Sequence, residues 1–269
     1  MTDSANSPLL DVRNLQVHFG PRADPVRAVD GVDFRIFSGE IVALVGESGS
    51  GKSISALSLA KLVPEPAGRI VGGSVNFQTL EVLKLKRSEL RKLRGARIAY
   101  IFQEPATALN PVFTVGWQIG EAIRLHRKGV HVKDEVEKLL TAVGLPDPKR
   151  AAESYPHELS GGMQQRAMIA MALACNPDLL VADEPTTALD VTVQKQILEL
   201  LVELRRARGL SILLITHNLG IVADIADRVY VMNRGKIVES GETKTVLRTP
   251  QHDYTKKLLA AVPRLHKKS

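Results

Sequence analysis

Cysteine is nearly absent. Cys175 stands alone among 269 residues, which excludes an internal disulfide and fits a reducing compartment. Long apolar runs are missing too: runs such as IVALV at 41–45 and ILLI at 212–215 fall far short of the roughly 20 residues that cross a bilayer as a helix. Aromatics make up only 4% of the chain and do not interleave with a basic stripe, so no base-stacking platform for nucleic acid is expected. The opening MTDSANSPLLDV lacks a basic segment followed by an apolar one, so no secretory signal is expected. No internal repeat and no low-complexity segment interrupts the pattern.

What is present is the composition of a globular chain, 44% hydrophobic and 24% charged, with material for one large domain or two smaller ones. The net charge is +7, part of it in KLKRSELRKLRGAR (84–97) and in RLHKKS (264–269). A nucleic acid, an anionic membrane surface and a plain solvated face all answer to such an excess, and the solvated face is the default.

The chain opens β-rich. VRNLQVHF (12–19) and GVDFRIF (31–37) alternate, and GEIVALVG (39–46) is a continuous apolar strand of the fully buried kind. A helix is predicted from the end of SGSGKS to the proline pair of VPEPAG, followed by strands in GGSVNFQT and ARIAYIFQ. Residues 104–165 carry helical spacing, at 114–128 and 132–145 above all. From 161 onward helix and strand alternate: a helix at 162–175, strand DLLVAD, a long amphipathic helix stopping at Gly209, strand LSILLITH, a helix at 219–226, and a hairpin around Arg234–Gly235. Apolar strands alternating with helices predict a largely parallel sheet covered by helices.

Chemistry concentrates in GESGSGKS, residues 46–53, which fits G-x-x-x-x-G-K-[S/T] between a buried strand and a helix. Glycines there let backbone N–H groups turn toward phosphates with no Cβ in the way. Lys52 reaches the β- and γ-phosphates, and the Ser53 hydroxyl can ligate Mg²⁺. The dinucleotide pattern G-x-G-x-x-G does not occur. In LLVADEP (179–185) an apolar strand runs into two carboxylates: Asp183 is placed to hold Mg²⁺, and Glu184 to act as base toward an attacking water. Alone such a strand end is commonplace; beside a phosphate loop it makes a pair. LSGGMQQR (159–166) then adds a serine and two glycines before a second helix, a further loop suited to an anion.

Joined by LSGGMQQR, these segments resemble the ATP-binding subunits of ABC transporters along nearly the whole chain. The resemblance implies an α/β fold: a P-loop NTPase (RecA-like) core with an N-terminal antiparallel β subdomain and an inserted α-helical subdomain. As boundaries it suggests 1–103 and 166–245 for the core, 104–165 for the helical subdomain and 246–269 for a C-terminal helical tail. ATP and Mg²⁺ are the implied cofactors. Gly46, Ser48, Gly49, Gly51, Lys52 and Ser53 would bind nucleotide; Ser53, Gln103 and Asp183 would face the metal. Phe19 matches the position that stacks on adenine, Gln103 a sensor of Mg²⁺ and water, and Asp190 the loop that crosses between subunits. His217 matches the switch histidine at the γ-phosphate. Each has a plainer reading: Phe19 as a core aromatic, Gln103 and His217 as polar strand ends, Asp190 as a helix N-cap, Cys175 as a small buried apolar residue.

In that family two such chains pair head to tail, and each ATP lies between the phosphate loop of one and the signature loop of the other. Ser160, Gly161 and Gly162 would thus serve the neighbour's nucleotide. The resemblance further implies a homologous or identical second ATP-binding subunit, two transmembrane permease subunits, an extracytoplasmic solute-binding protein acting indirectly, no nucleic acid, and a peripheral place on the cytoplasmic face of the cell membrane. EPATALNPVFTVGWQI (104–119) and TPQHDYTKKLLAAVP (249–263) are similar to the dipeptide, oligopeptide and nickel importer branch. With Cys175 alone, no iron–sulfur cluster is expected. Peptide import is the reading chosen; a nickel or metallophore cargo, an exporter, a non-transport ABC ATPase and a module without catalysis are the alternatives.

Overall fold

The computed structural model describes residues 7–187 and 189–261. The basic end 264–269 and the last part of the expected tail therefore lie outside the described residues. In chain order come β1 (Leu10–Phe19), β2 (Val26–Ile36), β3 (Ile41–Val45), α1 (Lys52–Ser58), β4 (Gly68–Phe77), β5 (Leu80–Glu81), α2 (Arg87–Leu93) and β6 (Ile98–Ile101). Then follow α3 (Pro105–Ala108), α4 (Val115–His126), α5 (Val132–Ala142), α6 (Pro148–Glu153), α7 (Gly161–Ala172), β7 (Leu179–Asp183) and α8 (Val191–Arg208). The chain closes with β8 (Ser211–Thr216), α9 (Leu219–Ile225), β9 (Arg228–Asn233), β10 (Lys236–Glu242), α10 (Thr243–Arg248) and α11 (Asp253–Ala260). Among the described residues no helix is long and apolar enough to cross a membrane.

Contacts divide the chain into two compact units, 1–85 with 213–269, and 86–212. The first holds an antiparallel sheet ordered β2-β1-β4-β5 and a second sheet in which β10, β9, β3 and β8 follow one another. β3 runs parallel to β9, and β9 turns back antiparallel into β10 at Arg234–Gly235. All five residues of β3 and all six of β8 are buried, as their unbroken apolar runs require. α11 closes one end: Tyr254, Leu258 and Leu259 pack on a core made by Ala43, Val45, Leu219, Val222, Val229, Val231 and Val246.

The second unit is mostly helical around the parallel pair β6–β7, in which Ile98 faces Leu179 and Ile101 faces Ala182. Its helices are capped as their sequences direct. Thr114, Asp147, Ser160 and Asp190 accept N–H bonds at the starts of α4, α6, α7 and α8. Gly209, with φ of 64°, ends α8 in the left-handed conformation that glycine adopts without a Cβ penalty.

Three local expectations change. α1 stops at Ser58, before the proline pair, because Lys61 takes a left-handed φ of 52° and the Leu62 N–H returns to the Leu57 carbonyl. β2 starts at Val26, five residues ahead of GVDFRIF, since pairing with β1 carries it back past Gly31 to Val26 opposite Phe19. Cys175 is only half-buried, in the turn after α7, where its thiol donates to the Ala122 carbonyl at 3.4 Å. Burial pushes that thiol's pKa up, so the unreactive neutral form persists.

Candidate functional site

The phosphate loop leaves β3 and is shaped by contacts that tolerate only glycine. Gly46 has φ of 155°, and a Cβ there would stand 2.1 Å from the Met232 carbonyl oxygen. A Cβ on Gly51, φ 105°, would stand 2.3 Å from the Ala28 oxygen. Both clashes are with backbone, which cannot swing aside. Gly49, φ 77°, meets nothing within 4 Å, so here glycine answers to the backbone angle alone. β9 and β10 brace the loop from the other side, where the Gly235 N–H donates to the Ser50 carbonyl at 2.9 Å.

Within this loop Lys52 is buried, only 5% of the residue being exposed. Burying an ammonium costs several kcal/mol unless it is paired. Here it donates to the carbonyls of Gly46 and Glu47, each at 2.8 Å, with Ser50 Oγ at 3.5 Å. The loop is thus wrapped around its own cation. Ser53 follows it, exposed, at the head of α1. His217 is also exposed, one residue past β8; the Asn218 N–H bonds back to Thr216 Oγ1 at 3.0 Å, and Asn218 Oδ1 caps α9. An open cleft is lined by Gly46, Glu47, Ser48, His217, Asn218, Leu258 and Ala261. The first unit therefore brings the loop and His217 together. Phe19 lies half-buried at the end of β1 with its ring against Gly68, where a Cβ would come within 2.7 Å of Cζ.

In the second unit the side chains, not the backbone, shape the group. Asp183 ends β7, and Glu184 follows with a left-handed φ of 46°. That conformation costs a non-glycine residue about 1–2 kcal/mol. Offsetting it, Glu184 Oε2 accepts from Thr187 Oγ1 at 2.8 Å and from Gln103 Nε2 at 3.2 Å. Hydrogen bonds to a charged acceptor are worth about 1.5–3 kcal/mol each, so the pair outweighs the strain. Gln103 reaches in from just beyond β6. Thr187 escaped the sequence reading: nothing in DEPTT marks which threonine turns back onto the carboxylate.

Ser160, Gly161, Gly162 and Asp190 form another group at the starts of α7 and α8. Ser160 Oγ accepts from the Met163 N–H at 3.4 Å and Asp190 Oδ1 from the Val193 N–H at 3.0 Å, so both residues are N-caps. A Cβ on Gly162 would stand 2.9 Å from Val193 Cγ1, which explains the glycine by the close approach of α8. Ser160 and Gly161 are exposed. Within the second unit the Asp183 carboxylate and the Gln103 amide, once its carbonyl turns inward, offer hard oxygens, a chemistry that suits Mg²⁺. Beyond this machinery lies an apolar patch: Phe113 and Trp117 stack with centroids 4.1 Å apart at 38% and 42% exposure, beside Val112 at 68%.

Residues 29–187 match the ABC transporter family, and residues 238–269 match the oligopeptide/dipeptide transporter C-terminal region. The chain is 51% identical over 257 residues to the dipeptide transport ATP-binding protein DppD of Haemophilus influenzae, covering 95% of this chain and 78% of that protein. It is 50% identical over 259 residues to the DppD of Bacillus subtilis, covering 96% and 77%. Among solved structures it resembles the dimeric ATP-binding cassette MJ0796 in a post-hydrolysis state bound to ADP and Pi. That likeness has a TM-score of 0.77 at 27% identity, over 87% of this chain and 98% of the other.

Proposed function

The chain belongs to the ABC transporter ATP-binding family, and from that premise we propose that it powers the import of short peptides across the cytoplasmic membrane. ATP hydrolysis and the α/β ABC ATPase fold come with the family. The peptide cargo rests on the observation that carries this reading: residues 238–269 match the oligopeptide/dipeptide C-terminal region, and the DppD relatives agree across nearly the whole chain.

The roles follow from the chemistry. Backbone N–H groups of 48–53 and the Lys52 ammonium hold the β- and γ-phosphates. In doing so Lys52 exchanges the Gly46 and Glu47 carbonyls for phosphate oxygens, a stronger, charge-assisted pairing. Ser53, Asp183 and Gln103 hold Mg²⁺, which when bound neutralises charge on the phosphates. Glu184, whose Oε2 is oriented by Thr187 and Gln103, polarises the attacking water for in-line displacement. His217 fixes the γ-phosphate, and Phe19 stacks on adenine. Exposed Ser160 and Gly161, with Gly162, complete the shell of a partner chain's nucleotide; Asp190 meets that partner as well as capping α8. The expected helical subdomain, 104–165, offers the exposed Val112, Phe113 and Trp117 to the permease subunits, and the chain works at the cytoplasmic face of the membrane. An extracytoplasmic binding protein delivers the solute to them.

Two measurements test this reading. Reconstituted with its permease subunits and binding protein, the chain should turn over ATP faster when dipeptides or short oligopeptides are supplied. Stimulation by nickel or a metallophore instead would replace the cargo. Glu184→Gln should hold ATP without cleaving it and run as a dimer by size exclusion; a monomer at saturating ATP would remove the composite site. A dimer is expected because ATP bound only in the paired form shifts the population toward it.

A further inference from the structure

One phosphate-loop amide is held from outside the loop. The Glu47 N–H donates to Tyr254 Oη at 3.0 Å, across 207 positions of chain. Tyr254 sits in the first turn of α11, and three further contacts fix where α11 begins. Glu239 of β10 takes the Gln251 and His252 N–H groups at 2.7 and 3.1 Å, and His252 Nδ1 takes the Tyr254 N–H at 3.1 Å. Burial works to raise the Glu239 carboxyl, yet the Gln251 N–H, the Thr255 hydroxyl and the His252 N–H outweigh it and hold the group below the usual carboxylate range. Farther along, Leu258 and Ala261 line the same cleft as Gly46, Ser48 and His217, while Tyr254 and Leu258 pack on the core that carries β3 into the loop.

We propose that Tyr254 is a positioning residue for nucleotide binding: its hydroxyl engages the Glu47 amide, and through it the C-terminal helix sets where the phosphate loop stands. The inference rests on the nucleotide reading of that loop and adds to it a residue of the C-terminal segment, 207 positions from Glu47.

Gly46 is pinned by the Met232 carbonyl, Ser50 by Gly235, and Lys52 by carbonyls within the loop itself. Glu47 and Ser48 lie between the first two pins with exposed side chains. The Tyr254 hydroxyl supplies an anchor there from outside the loop. It also accounts for a polar group: an N–H left unpaired at the edge of a folded loop costs free energy or turns to water. Burial raises the Tyr254 pKa against the lowering pull of the Glu47 amide, so Oη is a neutral phenol oxygen able to accept that bond. A loop fixed before ATP arrives loses less conformational freedom on binding, so the contact acts on affinity rather than on the chemical step.

Tyr254→Phe removes the hydroxyl and keeps the ring that packs on the core. With the full chain, the KM for ATP should rise about three- to tenfold, the worth of one hydrogen bond, with kcat within about twofold of wild type. Measured without nucleotide, amide hydrogen exchange across 46–51 should quicken while residues 255–260 of α11 keep their rates. Unchanged KM together with unchanged exchange across 46–51 overturns the proposal. Faster exchange throughout α11 with a fall in kcat overturns it as well, since Tyr254 would then be supporting the fold. Lys52→Ala serves as the control: turnover equal to wild type in that variant would sink the nucleotide reading itself, while the exchange comparison would still report whether the hydroxyl holds the loop.

Discussion

The phosphate loop and the strand end at Asp183–Thr187 reach the same goal, polar groups held ready for a reaction, by opposite means. In the loop, backbone does the holding: Gly46 and Gly51 lie against carbonyl oxygens at distances that admit no Cβ, and Lys52 is clasped by two main-chain carbonyls. At the strand end, side chains hold side chains: Glu184 sits at a left-handed φ of 46° with its carboxylate shared between Thr187 and Gln103. Backbone shape depends on a few residue types at fixed spacing. Side-chain pairing can be met by several residues from many places.

The largest effect should come from the backbone-built half. Lys52→Ala leaves two carbonyls that faced a cation and removes the charge proposed to offset the phosphates. Turnover should fall by a hundredfold or more, about the loss seen when one transition-state electrostatic contact is deleted. Steady-state hydrolysis checks this; retention of a tenth of wild-type kcat would mean the clasped lysine is a structural group.

Thr187→Val tests the side-chain-built half and should cost less. It keeps the shape and removes one bond to the proposed base, so kcat should drop about tenfold at unchanged KM, with Thr187→Ser restoring most of it. A valine variant of full activity would mean that Gln103 and the local backbone suffice to aim Glu184, and the contrast between the two halves would weaken.

The same contrast explains what the sequence let one read. Buried β3, β7 and β8, the phosphate loop and the helix ending at Gly209 all follow from periodicity or from residues that only one backbone shape accepts. Thr187 and Tyr254 did not show, because a hydroxyl three residues along the chain and another 207 residues away bond to their partners without leaving a spacing to recognise. The start of β2 was hidden for a related reason: the residues 26–30 become strand by pairing with β1, a long-range contact that local alternation does not encode. Asp190 illustrates overlap. It was expected at a subunit crossing and as an N-cap, and the cap is what its carboxylate does within this chain.

The smallest effect separates charge that works from charge that only dissolves. α2 carries Arg87, Arg91 and Lys92 on its exposed side, while Leu90 and Leu93 hold it to the unit and the Lys86 N–H is capped by Glu89 at 2.8 Å. The helix is thus anchored by its apolar stripe, and among the described residues its cations Arg87, Arg91 and Lys92 are neither clasped like Lys52 nor paired like Glu184. Changing all three to glutamine preserves helix propensity and removes three charges from water-exposed sites, where each contributes little. ATP turnover should stay within about twofold of wild type and the melting temperature within a few degrees. A tenfold loss of turnover would show that this face meets a catalytic element of a partner, and the division between held and solvated charge would have to be redrawn.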